Sequence, residues 1–312
     1  MRSFRLIPDD TRIPFVRYQY WAYAFSSALV LLTLILLPTK GLNFGIDFRG
    51  GILIEVGMPG PADLAPMRST LGDLGLGEVA LQEFGDPANV LIRVEHQAGG
   101  EAGQLAAVNK VKTALTDRFG NDISYRRVEF VGPKVSGDLL WASGQAMLYA
   151  TIAILIYIWF RFEWQFAIGA IVALIHDAIT TLGLFSLFGL EFNLASVAAV
   201  LTIIGYSTND TVVVYDRVRE NLRRYKAMPL PELVDRSINE TLARTVMTSL
   251  TTLAALLALI LFGGPVIRDF TIAMTWGVLI GTYSTVYVAA PMILHLHLRR
   301  EAAVPAGEPA EG

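Results

Sequence analysis

Ile204-Gly205-Tyr206-Ser207-Thr208-Asn209-Asp210-Thr211-Val212-Val213-Val214-Tyr215-Asp216-Arg217 closes an apolar run that begins near Leu194 and is long enough to cross a bilayer. Inside it stands Asp210, flanked by Ser207, Thr208, Asn209 and Thr211. A carboxylate at the centre of a membrane helix costs roughly 2.5–3.5 kcal/mol on insertion scales. A chain that keeps one there, surrounded by small hydroxyl and amide groups, points to proton relay, ion binding or pairing with a cation on a neighbouring helix. The plainer alternative is a polar clamp between helices.

The rest of the chain agrees with a membrane setting. Of its 312 residues, 53% are hydrophobic and 17% charged, and the mean hydropathy is +0.48. These values are those of a polytopic membrane protein. A net charge of −3 argues against nucleic acid or another polyanion as partner. The absence of cysteine excludes disulfides and thiolate metal sites. The four histidines, His96, His176, His295 and His297, are scattered and predict no metal site.

Outward from the opening stretch, five further apolar runs are long enough to span: about 20–37, 139–160, 164–188, 245–262 and 270–296, with the opening run at 194–215. No small-x-small cleavage site follows the first, so it reads as an uncleaved helix within 20–38 after a polar segment 1–19. Between the first and second spans, residues 39–138 change to soluble patterning. Strands are expected at 51–57, 78–84, 89–96 and 124–131, and helices at 62–74 and 104–119. That order, βαββαβ, is the ferredoxin-like α+β arrangement. Its expected core includes Leu53, Ile54, Leu64, Leu71, Leu91, Ile92, Val108, Leu115 and Val128. The Arg-rich link 217–243 reads as an amphipathic helix at the interface, and the tail 299–312 as disordered.

Positive charge near the membrane fixes an expected orientation. Arg2, Arg5, Arg12 and Arg17 share one side with Arg161, the cluster Arg217, Arg219, Arg223, Arg224 and Lys226, and Arg299-Arg300. The opposite side carries Lys40, Arg49, Lys134 and Arg268. Both termini are therefore expected in the cytoplasm and the soluble domain outside.

No phosphate loop and no Ser-His-Asp pattern occur, so the chain has no ATP engine of its own and energy must come from an ion gradient or a partner. The intramembrane charges are Asp177, halfway along its span, Asp210, and Arg244 at the start of the fifth span. Asp210 and Arg244 both lie toward the cytoplasmic side and are expected to meet. Desolvation and a nearby arginine act on a carboxyl in opposite directions, which holds it where it can titrate. Asp177 reads equally well as a helix–helix hydrogen bond, and His176 as a packing residue. Gly277-x-x-x-Gly281 predicts a close helix crossing, and Gly45, Gly50 and Gly51 around Asp47 suit tight turns.

Three motifs carry a family resemblance: Gly45-Ile46-Asp47-Phe48-x-Gly50-Gly51, Val131-Gly132-Pro133-x-Val135, and the opening stretch continued through Arg219-Glu220-Asn221. With Phe262-Gly263-Gly264-Pro265, they resemble, in order and spacing from about residue 15 to 298, the SecF family of the bacterial SecD–SecF protein-export complex, within the RND superfamily. Ser136 departs from the pattern, where the family usually carries Gly. The resemblance implies an α-helical polytopic protein of six transmembrane helices in the bacterial inner membrane, with the ferredoxin-like domain in the periplasm. It implies action at the SecYEG channel on an unfolded secretory polypeptide, driven by the proton-motive force without a bound cofactor. SecD is the implied partner, and YajC and YidC are further candidates. The family's membrane acid and arginine fall on Asp210 and Arg244; Gly205, Tyr206, Asp216 and Arg217 belong to the same motif. The alternatives are an RND-type exporter of small molecules or lipids and a non-conducting scaffold.

Overall fold

The computed structural model describes residue 8 and residues 11–296. Arg2, Arg5, His297, Arg299, Arg300 and the tail 299–312 lie outside the described residues. Among the described residues, six helical segments are long and apolar enough to cross a membrane: Val16–Thr39, Pro133–Arg161, Trp164–Phe188, Leu194–Arg224, Leu230–Phe262 and Arg268–His295.

The inserted domain, or head, is built from β2 (Gly51–Gly57), α3 (Leu64–Gly72), β3 (Val79–Phe84), β4 (Asp86–Val94), α4 (Gly100–Phe119) and β5 (Ser124–Val131). The four strands order as β3-β4-β2-β5, all antiparallel, which is the ferredoxin-like topology expected. Alternation along β2 sends Ile52, Ile54 and Val56 to one face, where they pack with Val90, Ile92 and Val94 against Met67, Leu71, Val111 and Leu115. Each such buried side chain contributes roughly 1.5–3 kcal/mol. Leu53 and Leu91 are buried too, but on the opposite face, against Ile46. That face is covered by the segment leading in from the membrane, so the central strand β2 is buried along its whole length. Leu64 and Val128 are half-buried at the edge of the core.

The head runs into the bundle without a linker. Gly132 is the N-cap of α5 (Pro133–Arg161), and Pro133 occupies its first turn, where a missing N–H costs nothing. α5 thus begins at Pro133, ahead of the residue 139 at which the second span is expected to start.

In the bundle, α6 (Trp164–Phe188), α7 (Leu194–Arg224) and the last span are at least half buried, whereas α1 (Gln19–Thr39), α5 and α8 (Leu230–Phe262) are mostly outward-facing. The last span is not one helix as expected. It runs as α9 (Arg268–Ser284), a π-helical segment Thr285–Ala289, and α10 (Ala290–His295). Pro291, just beyond, has no N–H to bond the turn below it, and Tyr215 of α7 donates its hydroxyl to the Ala289 carbonyl at 3.0 Å.

The expected interfacial helix over 217–243 is also corrected. α7 and α8 are continuous rods that extend past the apolar stretch and turn at residues 225–229. Their extensions are held together by Arg217 to Glu240 at 2.7 Å, Asn221 to Glu240 at 2.8 Å and Asn221 to Ser237 at 3.0 Å, and Arg236 steadies Glu240 from within α8 at 2.9 Å. Val218, Leu233, Val234 and Ile238 are buried between them. The charges that suggested a surface helix are the solvent face of this hairpin.

Candidate functional site

Small residues bring α7 and α9 together. A Cβ on Gly277 would stand 2.1 Å from Ile203, and one on Gly281 3.0 Å from Ser207. The Gly-x-x-x-Gly spacing thus sets the approach that aligns the polar residues of α7 with their partners.

Asp210 is 9% exposed. One carboxylate oxygen, Oδ1, accepts from the Thr245 hydroxyl of α8 at 2.7 Å; the other, Oδ2, is buried and has no partner among the described residues. Arg244, expected to pair with Asp210, is exposed on α8 and makes no ion pair with it. Thr245, the next residue, takes that place because it points into the bundle while Arg244 points out. Of the neighbours of Asp210, Ser207 bonds elsewhere, and Thr208 returns its hydroxyl to the Ile204 carbonyl at 2.7 Å. Thr211 reaches Thr285 at 2.9 Å. Asn209 and Gly205 face outward, and Tyr206 is half-buried with an unpartnered hydroxyl.

Asp177 is completely buried, and both its oxygens are engaged. Oδ2 accepts from Ser207 of α7 at 2.5 Å and from Ser284 of α9 at 2.7 Å, while Oδ1 meets Nδ1 of His176 at 2.9 Å. Ser207 was legible as a polar neighbour of Asp210; that it turns to Asp177 instead was not, and Ser284 gave no local signal at all.

At the end of the bundle next to the head, a two-stranded parallel pairing joins β1 (Asn43–Phe44) to β6 (Glu191–Phe192), the short turn between α6 and α7. Asp47, in the helical turn α2 (Ile46–Arg49), accepts from the Leu194 amide at 2.9 Å and so ties α2 to the first turn of α7, which Asn193 caps with Ser196. Gly45 lies where a Cβ would meet Glu191 Oε1 at 2.5 Å. Gly50 and Gly51 have φ of 71° and 109°, and a Cβ on Gly51 would meet the Val94 carbonyl at 2.4 Å. Ser136, the departure from the family pattern, fits against Gly50 and donates to the Gly132 carbonyl at 3.1 Å. Arg93 of the head reaches Glu191 at 3.6 Å and Asn43 at 3.5 Å. Burial pushes the Glu191 carboxyl above the usual range, Arg93 opposes this, and Asp269 and Asp47 add to it.

At the opposite end, Asp216 binds Arg161 at 2.7 Å, and Arg217 bridges Glu220 and Glu240. These residues tie α5, α7 and α8 at the arginine-rich face. Among the described residues, no group of acidic and histidine side chains is arranged to hold a metal ion.

Comparison with known proteins accounts for this arrangement. The model of the protein export membrane protein SecD/SecF C-terminal family matches residues 110–299, and that of the SecD/SecF GG motif matches residues 35–58, which contain Gly45, Asp47, Gly50 and Gly51. Protein translocase subunit SecF of Rickettsia felis is 46% identical over 289 residues, covering 93% of each chain. That of Rhodobacter capsulatus is 47% identical over 308 residues, covering 95% of this chain and 92% of the relative. The crystal structure of SecDF from Thermus thermophilus, a translocon-associated membrane protein, superposes with a TM-score of 0.84 at 34% identity, over 92% of this chain and 39% of that one. SecDF in its super-membrane-facing form gives 0.68 at 31% identity, over 95% of this chain and 40% of that one. This chain therefore spans about two-fifths of the SecDF chains and nearly all of the SecF relatives. It belongs to the SecD/SecF family of protein-export membrane proteins.

Proposed function

We propose that this chain is the proton-coupled SecF-type half of a protein-export machine, completed by a SecD-type subunit, which uses the proton-motive force to draw secreted polypeptides out of the SecYEG channel. The observation that carries the reading is the state of Asp210: a buried intramembrane carboxylate with one donor and one bare oxygen. An acid so placed is free to bind a proton or a group from a partner helix. Arg244, on the outward face of α8 beside it, supplies positive charge on the side where a partner subunit would pack. The chain brings no cofactor to this cycle, and protons are the coupling ion. YajC and YidC are proposed as further members of the assembly.

In this reading the protein lies in the bacterial inner membrane with both termini cytoplasmic and the head in the periplasm. The supporting feature is the concentration of Arg161, Arg217, Arg219, Arg223, Arg224 and Lys226 at one end of the bundle. One proton crossing the membrane potential releases about 2.3 kcal/mol per 100 mV, enough to bias two packings of the helices by well over tenfold. α7 joins Asp210 to the head, since Asp47 accepts from its first amide at the head end. Asp210→Asn is expected to abolish gradient-dependent export in vesicles while the variant still co-purifies with its SecD partner. Full gradient-dependent export by an assembled Asp210→Asn complex would overturn the proposal.

A further inference from the structure

The groove between α1 and α6 holds a second titratable centre that the reading above does not use. It has a volume of about 620 Å³ and a mainly apolar wall, with Leu31, Val172 and Ile175 in it, broken by Tyr23, Ser26, Ser27 and His176. At its Tyr23 end the ring of His295 lies 6.0 Å away. At its inner end is His176, 5% exposed, whose Nε2 is buried with no partner among the described residues. The tautomer follows from the neighbours. Oδ2 of Asp177 already accepts two serine hydroxyls, and Oδ1 faces Nδ1, so an ionised Asp177 takes the Nδ1 proton and leaves a lone pair on Nε2.

The other elements bring few ionisable groups to this depth. α1 contributes Tyr23 at the groove. α9 contributes Tyr283, whose ring is 6.2 Å from that of His176 and whose hydroxyl is 3.0 Å from Ser26. Tyr287 packs behind Tyr283. α7 contributes Ser207, with Asp210 one turn further on the same helix. α5 carries its charges only near its ends.

We propose that His176 and Asp177 form a second proton station, separate from Asp210, which exchanges protons with water in the α1–α6 groove and signals their arrival to α7 through Ser207. A hydronium ion in the groove gives its proton to Nε2 and is left as water. The Nδ1 proton passes to Oδ1 of Asp177. The histidine ends neutral in its other tautomer and the carboxyl ends neutral, so the pair has gained one positive charge. Their mutual hydrogen bond survives with its direction reversed. A neutral carboxyl is a weaker acceptor than a carboxylate, so the bonds from Ser207 and Ser284 loosen together and the contact of α6 with α7 and α9 relaxes. Release of the proton restores them.

The inference rests on the proton-driven reading, and its test separates the two. His176→Asn keeps a donor near Oδ1 but has no ring to relay a proton; Asp177→Asn keeps the shape of the carboxyl. In the complete complex with its SecD partner, each is expected to lower the gradient-driven export rate roughly tenfold or more. His176→Asn should also remove one limb of the pH profile, which a purely packing residue would not do. A His176→Asn complex with the rate and pH profile of the parent protein overturns the inference, even if Asp210→Asn is inactive. An active Asp210→Asn complex would instead sink the proton-driven reading. Should the variants fail to assemble, nitrogen NMR of histidine-labelled parent protein decides the matter. The proton of His176 is expected on Nδ1, with Nε2 bare, and a proton held on Nε2 in the parent protein overturns the proposal.

Discussion

Asp177 and Asp210 share one helical bundle and differ in how their oxygens are engaged. Asp177 sits among α6, α7 and α9, with donors reaching it from each. Asp210 faces α8 alone and keeps one oxygen bare. The difference follows from position in the bundle. Asp177 is enclosed by this chain's own helices, which must answer every polar group that lipid cannot. Asp210 lies where α7 meets the outward-facing α8, which offers it the single donor Thr245. A fully engaged carboxylate ties helices together and takes a proton only by loosening those ties; a half-engaged one is open to a partner or a proton directly.

The largest expected effect attacks the enclosed side. Gly281→Leu would drive a side chain into Ser207, which stands 3.0 Å from the missing Cβ, and part α7 from α9. Little or no folded protein should be recovered by size-exclusion chromatography in detergent. Recovery at the parental level would show that the crossing is not close enough to position Ser207.

A milder pair sharpens the contrast. Ser207→Ala removes one of the donors to Asp177, and Thr245→Val removes the donor to Asp210 while keeping its volume. Hydrogen bonds between membrane helices average about 0.6 kcal/mol and reach about 1.7, so both variants should fold, with modest losses in thermal stability. Thr245→Val should also lower the rate of gradient-driven export, because it leaves both oxygens of Asp210 without a donor. A stability loss without a change in the export rate would make Thr245 a structural clamp.

The smallest effect lies at the junction with the head. Burial raises the Glu191 carboxyl above its ordinary range, so the folded state binds its proton more tightly than the unfolded one does. The stability this adds is complete below the ordinary carboxylate range and is lost as pH rises through the raised value. Glu191→Gln should flatten that part of the curve of melting temperature against pH. An unchanged curve would assign the dependence to another group.

The two carboxylates also show how far the sequence is readable. Asp177 and Asp210 stand out because charge is rare in apolar runs, and the head is legible because its strands alternate and its helices repeat at helical spacing. Partnership is harder to read. Thr245 rather than Arg244 meets Asp210, since one residue's step along a helix turns a side chain by about 100°. Ser284 lies 107 positions from Asp177, and nothing local marks it. The α7–α8 hairpin was hidden for a related reason: Arg217, Arg236 and Glu240 look like an interfacial face until the two rods are placed side by side. The pairing of β1 with β6 joins segments of two residues each, too short to show a pattern.

The central claim, that Asp210 carries protons, is tested most directly by proton movement itself. The complete complex is reconstituted into vesicles containing a pH-sensitive dye, and an imposed gradient is followed while a substrate polypeptide is exported. The parent complex should pass protons inward in step with export, and an assembled Asp210→Asn complex should pass none above the leak of empty vesicles. Substrate-dependent proton flux of parental size through Asp210→Asn would contradict the account.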